Sequence, residues 1–308
     1  MTVSEAIQTP SERRGRQART LAVALVALCG FGTAACGGSA ISQSTGMAAS
    51  GGSDAAAAAT SKTSAAAGNG SPSTDSAAGS RAAGQTLTGK TLTGKTIVID
   101  PGHNGGNYRH PEIINKEVNV LTERKACDTI GTSTNSGYSE AAFSWDISKR
   151  LEKLLKAEGA TVKLTRHDNN SVGPCITERA AIGNRAEADA AISIHADGAP
   201  AADHGFHVII PKKINGPVDP VVGESQQLGI AIRNAYRAGT GLPYSTYIGH
   251  QALDHRKDLG GLNLSRVPKV FLETGNMRNA HEAAKFQDPA FRQDIAESLA
   301  KGFRSYLT

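Results

Sequence analysis

From residue 97 onward, short apolar, β-branched runs alternate with stretches whose apolar residues recur every three or four positions. The first run, Ile97-Val98-Ile99, stops at Asp100-Pro101-Gly102 and predicts a strand that ends in a turn. Farther on, Phe143, Ile147, Leu151, Leu154 and Leu155 fall on one face of a helix that opens at Glu140 and is stopped by Gly159. The same spacing predicts strands over 161–165, 190–194, 205–211 and 267–272, and helices over 177–188, 224–238 and 289–306. Strands that alternate with helices build a largely parallel, twisted sheet with helices on both faces, so the expected fold is a single α/β domain. Residues 104–139 break the pattern. They are rich in Gly, Asn and Thr, with one short helix-like patch over 118–126, and so long an irregular insertion is uncommon in a compact domain unless it is functional.

The N-terminal third follows a different logic. Arg13, Arg14, Arg16 and Arg19 precede an apolar run from Leu21 that turns small at Thr33-Ala34-Ala35-Cys36, which reads as an export signal over 1–36. Thr33-Ala34-Ala35-Cys36 resembles the lipobox at which bacterial lipoproteins are cut and acylated, which makes Cys36 the expected lipidation site. Residues 37–93 are Ala, Gly, Ser and Thr with almost no large apolar side chain, too little to offset ordering entropy, and read as a flexible tether. LTGKT occurs twice in succession, at 87–91 and 92–96, and reads as linker drift rather than a repeat fold. A folded domain over 94–308 remains.

Charge and cysteine usage narrow the function classes. Of the formal net charge of +5, residues 1–93 carry seven Lys/Arg against four Asp/Glu, which leaves the domain nearly balanced and without an electrostatic footprint for nucleic acid. Cys29 and Cys36 belong to the export segment, so Cys127 and Cys175 are the domain's only pair, expected to form a disulfide in an oxidising compartment. Neither has a CxxC or CxxH neighbour, which weakens a zinc-thiolate reading.

The chemistry concentrates where apolar runs end. His103 follows the first strand, His195 closes AAISIH, and Glu140 sits in the first turn of its helix, beside the same sheet edge. Two imidazoles and a carboxylate are one standard set for an open zinc site, so Zn²⁺ is the expected cofactor, at the C-terminal edge of the strands. Glu273 follows Val270-Phe271-Leu272; desolvation there favours the protonated acid and suits a general base, the alternative being a fourth ligand in a closed site. His204 and His207 form HxxH, but His207 lies in a strand-like run without the helical spacing of zincins, so one of them is expected near the cleft and neither on zinc. Arg179 and Asn184 read as structural hydrogen-bonders, and Trp145 as partly buried on the Glu140 helix.

DPGHNGG, SEAAFSWDISKRL, ERAAIGNRAEADAAISIHAD and VFLETGNMRNAHEA, in that order, resemble the zinc-dependent N-acetylmuramoyl-L-alanine amidases of the type 3 family, over residues 95–308. The resemblance implies zinc held by His103, Glu140 and His195, a catalytic Glu273, and cleavage of the amide between N-acetylmuramic acid and L-alanine of the stem peptide. The substrate is accordingly expected to be peptidoglycan or muropeptide, and with the export signal and lipobox the expected protein is an exported monomer that touches the membrane only through a lipid anchor. His207, and Arg256 within the polar loop 250–263, are the expected substrate contacts. A zinc carboxypeptidase acting on wall peptides and a catalytically silent wall-binding protein are the rival readings. The Cys127-containing insertion departs from the family pattern and can fold over the zinc.

Overall fold

The structure is a computed structural model that describes residues 91–308. The export signal, Cys36 and nearly all of the expected tether lie outside the described residues. In chain order the elements are β1 (Thr96–Pro101), α1 (Pro111–Ile114), β2 (Glu117–Asn119), β3 (Arg124–Ala126), α2 (Glu140–Ala157), β4 (Thr161–Leu164), α3 (Ile176–Arg185) and β5 (Ala190–Asp197). They continue with β6 (His207–Pro211), α4 (Val222–Thr240), β7 (Leu253–Arg256), α5 (Gly260–Asn263), β8 (Lys269–Asn276), α6 (Ala280–Gln287) and α7 (Pro289–Leu307). Among the described residues no helix is long and apolar enough to cross a membrane.

Six strands form one sheet in the order β4-β1-β5-β8-β6-β7. The first four run parallel, β6 lies antiparallel to β8, and β7 follows β6 in parallel. The expected α/β sheet is therefore present, with two strands reversed. Because β6 runs backwards, its first residue, His207, lies opposite Glu273 near the end of β8.

The two faces of the sheet differ in chemistry, because side chains alternate along a strand. One face carries Ile97, Ile99, Ile192, Ile194, Val270 and Leu272 and joins Phe143, Ile147 and Leu151 of α2, Ile232 and Tyr236 of α4, and Leu299 and Phe303 of α7 in the main core. Removing such a side chain costs about 2–5 kcal/mol in lost transfer energy and cavity formation. The other face has a small apolar cluster of Val98, Ala188, Ala191 and Val267, and beyond it turns polar through Asp100, Ser193, His195, Lys269 and Glu273. That polar face carries the site.

Four expectations are corrected. The patch at 118–126 is not helical: β2 and β3 pair as a hairpin, since Val118 and Val120 follow strand spacing and too few apolar residues exist to cover a helix face. Leu253–Arg256, within the expected polar loop, is an edge strand paired with β6, and an edge tolerates such polar content. β5 and β8 run on to Asp197 and Asn276, so His195 and Glu273 sit inside strands rather than after them. Leu92, placed in the tether by composition, is fully buried in the main core with its amide bonded to the Glu158 carbonyl, so packing begins before residue 94.

Asp100 binds the sheet together. Its Oδ1 accepts from Arg179 Nη1 (2.9 Å) and Thr165 Oγ1 (2.6 Å), and its Oδ2 from Ser193 Oγ (2.6 Å) and Lys269 Nζ (3.0 Å). Burial alone would raise its pKa, but Lys269 and Arg179, with the two hydroxyls, hold the carboxyl well below the usual range. Asp100→Ala would strand two buried cations and is expected to cost about 3–5 kcal/mol in urea unfolding; a loss under about 1 kcal/mol would show the network dispensable. Since the folded-state pKa is depressed, this contribution is present above about pH 4 and drains away as pH falls toward the folded value.

Cys127 and Cys175 are joined by a disulfide across a sequence separation of 48 residues. Closing such a loop is worth about 4 kcal/mol on the chain-entropy account. Cys127→Ser with Cys175→Ser should therefore lower the melting temperature by several degrees or more in calorimetry, and an unchanged transition would refute that contribution.

Candidate metal centre and active site

The turn after β1 is clamped by two buried arginines. Arg166 donates to the carbonyls of Pro101 (3.0 Å) and Ala141 (2.8 Å), and Arg179 to those of Pro101 (2.8 Å) and His103 (2.9 Å). The clamp holds His103 in a left-handed conformation, φ +58°, uncommon for a side-chain-bearing residue. Arg166 also lies over the half-buried Trp145 ring, 4.9 Å from its centre. Burial and the neighbouring Arg179 charge pull its pKa down to about 9.

Glu140 is the first residue of α2, whose N-cap Ser139 accepts from the Ala142 amide. Its Oε1 lies 3.1 Å from His103 Nε2 and 2.8 Å from His195 Nδ1, and Oε2 accepts from the Thr132 amide at 2.9 Å. The His195 ring stacks on Phe271 of β8 at 4.0 Å. Donor atoms of His103, Glu140 and His195 all lie within 4.8 Å of one another and could hold a metal ion.

Close-packed glycines mark how tightly this cluster is built. A Cβ on Gly102 would stand 2.3 Å from the His195 ring, and one on Gly131 would stand 2.7 Å from both Glu140 Oε2 and the His103 ring. Charge points the same way. Burial opposes a charge on His103, yet Glu140 and Asp128 outweigh it and hold its pKa up at about 10; Glu140 is held far below the carboxylate range despite burial, chiefly by His103. A place that favours positive charge among two imidazoles and a carboxylate fits a divalent cation. Burial lowers the His195 pKa, which favours the neutral ring a metal requires.

Glu273 pairs with His195 across β5 and β8. Its Oε2 is shielded from solvent without a hydrogen-bond partner, and burial, then the charges of Asp197 and Glu140, push its pKa well above the ordinary value against the pull of Arg256. The four side chains line a cavity of about 440 Å³, whose wall includes Lys125, Thr129 and Gly131 of the insertion and Leu259 and Gly260 opposite. The insertion thus forms one side of the cleft.

His207 and Arg256, the expected substrate contacts, do not line this cavity. His207 is 2% exposed, set beside Glu273 on the sheet with Asp197 3.7 Å from its Nδ1, and Arg256 is committed to Asp258 at 2.8 and 2.6 Å. Strand reversal brings His207 to the right edge but turns it into the protein. His204 bonds through its amide to Thr246 Oγ1 in the segment between α4 and β7 and stands outside the donor cluster. Arg179 and Asn184 are structural, as their positions imply, Asn184 bridging Leu264 and Arg266.

Several contributors carry no motif: Asp128, Arg166, and the Tyr247 hydroxyl that donates to Asp197 at 2.6 Å; Asp100 opens the DPGHNGG motif, but its role as an anchor is not written there. One signal was available. Polar residues that share one face of otherwise buried strands, as Ser193 with His195 and Lys269 with Glu273, mark a polar sheet face.

Residues 97–305 match the family described as N-acetylmuramoyl-L-alanine amidase. The chain is 39% identical over 215 residues to N-acetylmuramoyl-L-alanine amidase Rv3717 of Mycobacterium tuberculosis, covering 68% of this chain and 86% of that protein. Its fold is similar to the N-acetylmuramyl-L-alanine amidase Ami1 of Mycobacterium abscessus (41% identity, TM-score 0.66, 70% of this chain and 100% of that one). It is also similar to Ami1 of Mycobacterium smegmatis (36% identity, TM-score 0.66, 70% and 98%). With about two thirds of its length matched by the family model and 39% identity to a curated member, the chain belongs to the N-acetylmuramoyl-L-alanine amidases of type 3.

Proposed function

We propose that the protein is a zinc-dependent peptidoglycan hydrolase that cleaves the amide joining the lactyl group of N-acetylmuramic acid to L-alanine of the stem peptide. The observation that carries the reading is the gathering of His103, Glu140 and His195 donor atoms within 4.8 Å on the wall of the cavity that Glu273 also lines. Bound by those three residues, a zinc ion supplies Lewis acidity for carbonyl polarisation and water activation.

The protein's own groups do the rest. The Thr129 carbonyl holds the His103 ring from its other nitrogen, and the Phe271 ring fixes the plane of His195. Glu273 takes the proton of the attacking water and returns it to the leaving nitrogen. Its raised proton affinity suits the first half of that transfer, since a carboxylate of ordinary pKa is a weak base toward water, and the acid so formed is still far stronger than a protonated amine, which suits the second. His207 stands beside Glu273 in strand register and the charge of Asp197 adds to its proton affinity, while substrate meets the cleft between the insertion and the loop at Leu259.

Peptidoglycan as substrate requires a place outside the cytoplasmic membrane, consistent with the export signal and disulfide. We assign lipid anchoring to Cys36 and a monomeric state on the same reading. Family membership favours the amidase over a carboxypeptidase. Mass spectrometry of products from purified muropeptides separates the two: release of intact stem peptide is expected, and loss of only a terminal amino acid would refute the reading.

His195→Ala should lose most zinc and nearly all activity; full zinc occupancy by elemental analysis would remove His195 from the ligand set. Glu273→Gln keeps shape but cannot accept a proton, so zinc content should stay at the wild-type level while turnover falls by about 10² to 10⁴. Comparable turnover in the two proteins would overturn the assignment.

A further inference from the structure

The insertion meets the metal centre at its back, through His103. The ring points Nε2 at Glu140, and its other nitrogen, Nδ1, lies 3.1 Å from the Thr129 carbonyl, 3.1 Å from Thr129 Oγ1 and 3.6 Å from Asp128 Oδ1. A carbonyl can only accept, so this contact keeps a proton on Nδ1 and makes Nε2, whose own proton faces Glu140 Oε1, the nitrogen that a cation in the cluster would take over. The Thr129 carbonyl is itself steered, receiving a second bond from Asn107 Nδ2 at 2.8 Å.

Asp128 controls where Thr129 stands. Its Oδ1 accepts from the Thr129 amide at 2.8 Å, and its Oδ2 accepts from Arg179 Nη2 at 2.9 Å, with the side chain about 5% exposed. The same Arg179 nitrogen donates to the His103 carbonyl, so one guanidinium sets both the residue that carries the imidazole and the residue that aims it. Beside this ion pair runs a covalent strut: Cys127 precedes Asp128, and Cys175 is the N-cap of the helix that bears Arg179 one turn later. Two links between the same segments, one ionic and one covalent, exceed what a surface loop needs.

Resting on the zinc reading above, we propose that Asp128 is a positioning residue of the metal centre: through Thr129 it fixes the His103 ring so that Nε2 is the metal-facing atom. The insertion is then an integral support of the zinc site, and not only a wall or cover of the cleft. Outer partners of this kind raise metal affinity by about 10- to 100-fold.

The test measures zinc affinity of the folded protein by competition with a chromogenic chelator, well below the melting transition. Asp128→Ala should bind zinc about 10- to 100-fold more weakly, and Asp128→Asn, which keeps an acceptor for the Thr129 amide, should lose less. Leu299→Ala, a core truncation in α7 distant in chemistry from the site, serves as a control of lowered stability and should keep wild-type affinity within about twofold. Affinity within about twofold of wild type in folded Asp128→Ala overturns the proposal, as does an equal loss in Leu299→Ala, which would make the effect one of stability. If Asp128→Ala does not fold, Asp128→Asn decides, since it still weakens the Arg179 pairing: a loss of about threefold or more is expected, and affinity equal to wild type overturns the proposal. Failure of the wild type to bind zinc would sink the zinc reading itself, and so is distinguishable from failure of the Asp128 assignment.

Discussion

The carboxylate of Asp100 is an anion sealed inside the sheet, and its need for four donors organises what surrounds it. Strands β5 and β8 answer with Ser193 and Lys269, the residue after β4 with Thr165, and helix α3 with Arg179. A buried charge is tolerable only when it is paired and saturated with hydrogen bonds, so each donor's position is constrained by the others. The consequence for chemistry lies one and three residues on. Pro101 and His103 inherit their placement from this anchor, with Arg166 and Arg179 holding the carbonyls of the turn in a conformation that His103 would not adopt unaided.

Arg179 links that anchor to the insertion. It pairs with Asp100 on one side and Asp128 on the other, so the two carboxylates are balanced by Arg179 and Lys269 rather than left as a net buried charge. The arrangement accounts for a domain able to carry so polar a sheet face: the main core on the opposite face supplies the apolar burial, while the polar face is stabilised by saturation. A cleft lined by groups held this way needs little rearrangement to accept a cation and a substrate, since the dipoles and charges are already aimed.

Beside the His103-Glu140-His195 cluster, Glu273 is kept different from Glu140 by its surroundings alone. Glu140 meets two imidazoles and two backbone amides and stays ionised; Glu273, one strand away, has an unpartnered oxygen and two carboxylate neighbours and holds its proton more tightly. Identical side chains thus take opposite roles in one cavity, one suited to bind a metal and the other to move a proton.

Much of this was written locally. Period-two and period-3.6 patterns marked most strands and helices, the Asp-Pro-Gly-His turn and the ends of two apolar runs marked His103, His195 and Glu273, and Glu140 stood in the first turn of a capped helix. The cysteine pair was legible because the domain offers no other partner for either thiol. Those signals depend on neighbouring residues and on composition, so the chain alone determines them. What it left open depends on long-range pairing: that β6 runs backwards and buries His207, that 118–126 is a hairpin, that Arg256 is spent on Asp258, and that Asp100, Asp128 and Arg179 meet across separations of up to 79 residues. A buried polar group has no local signature of its partner, because its cost is settled only by whatever donor the tertiary fold carries to it.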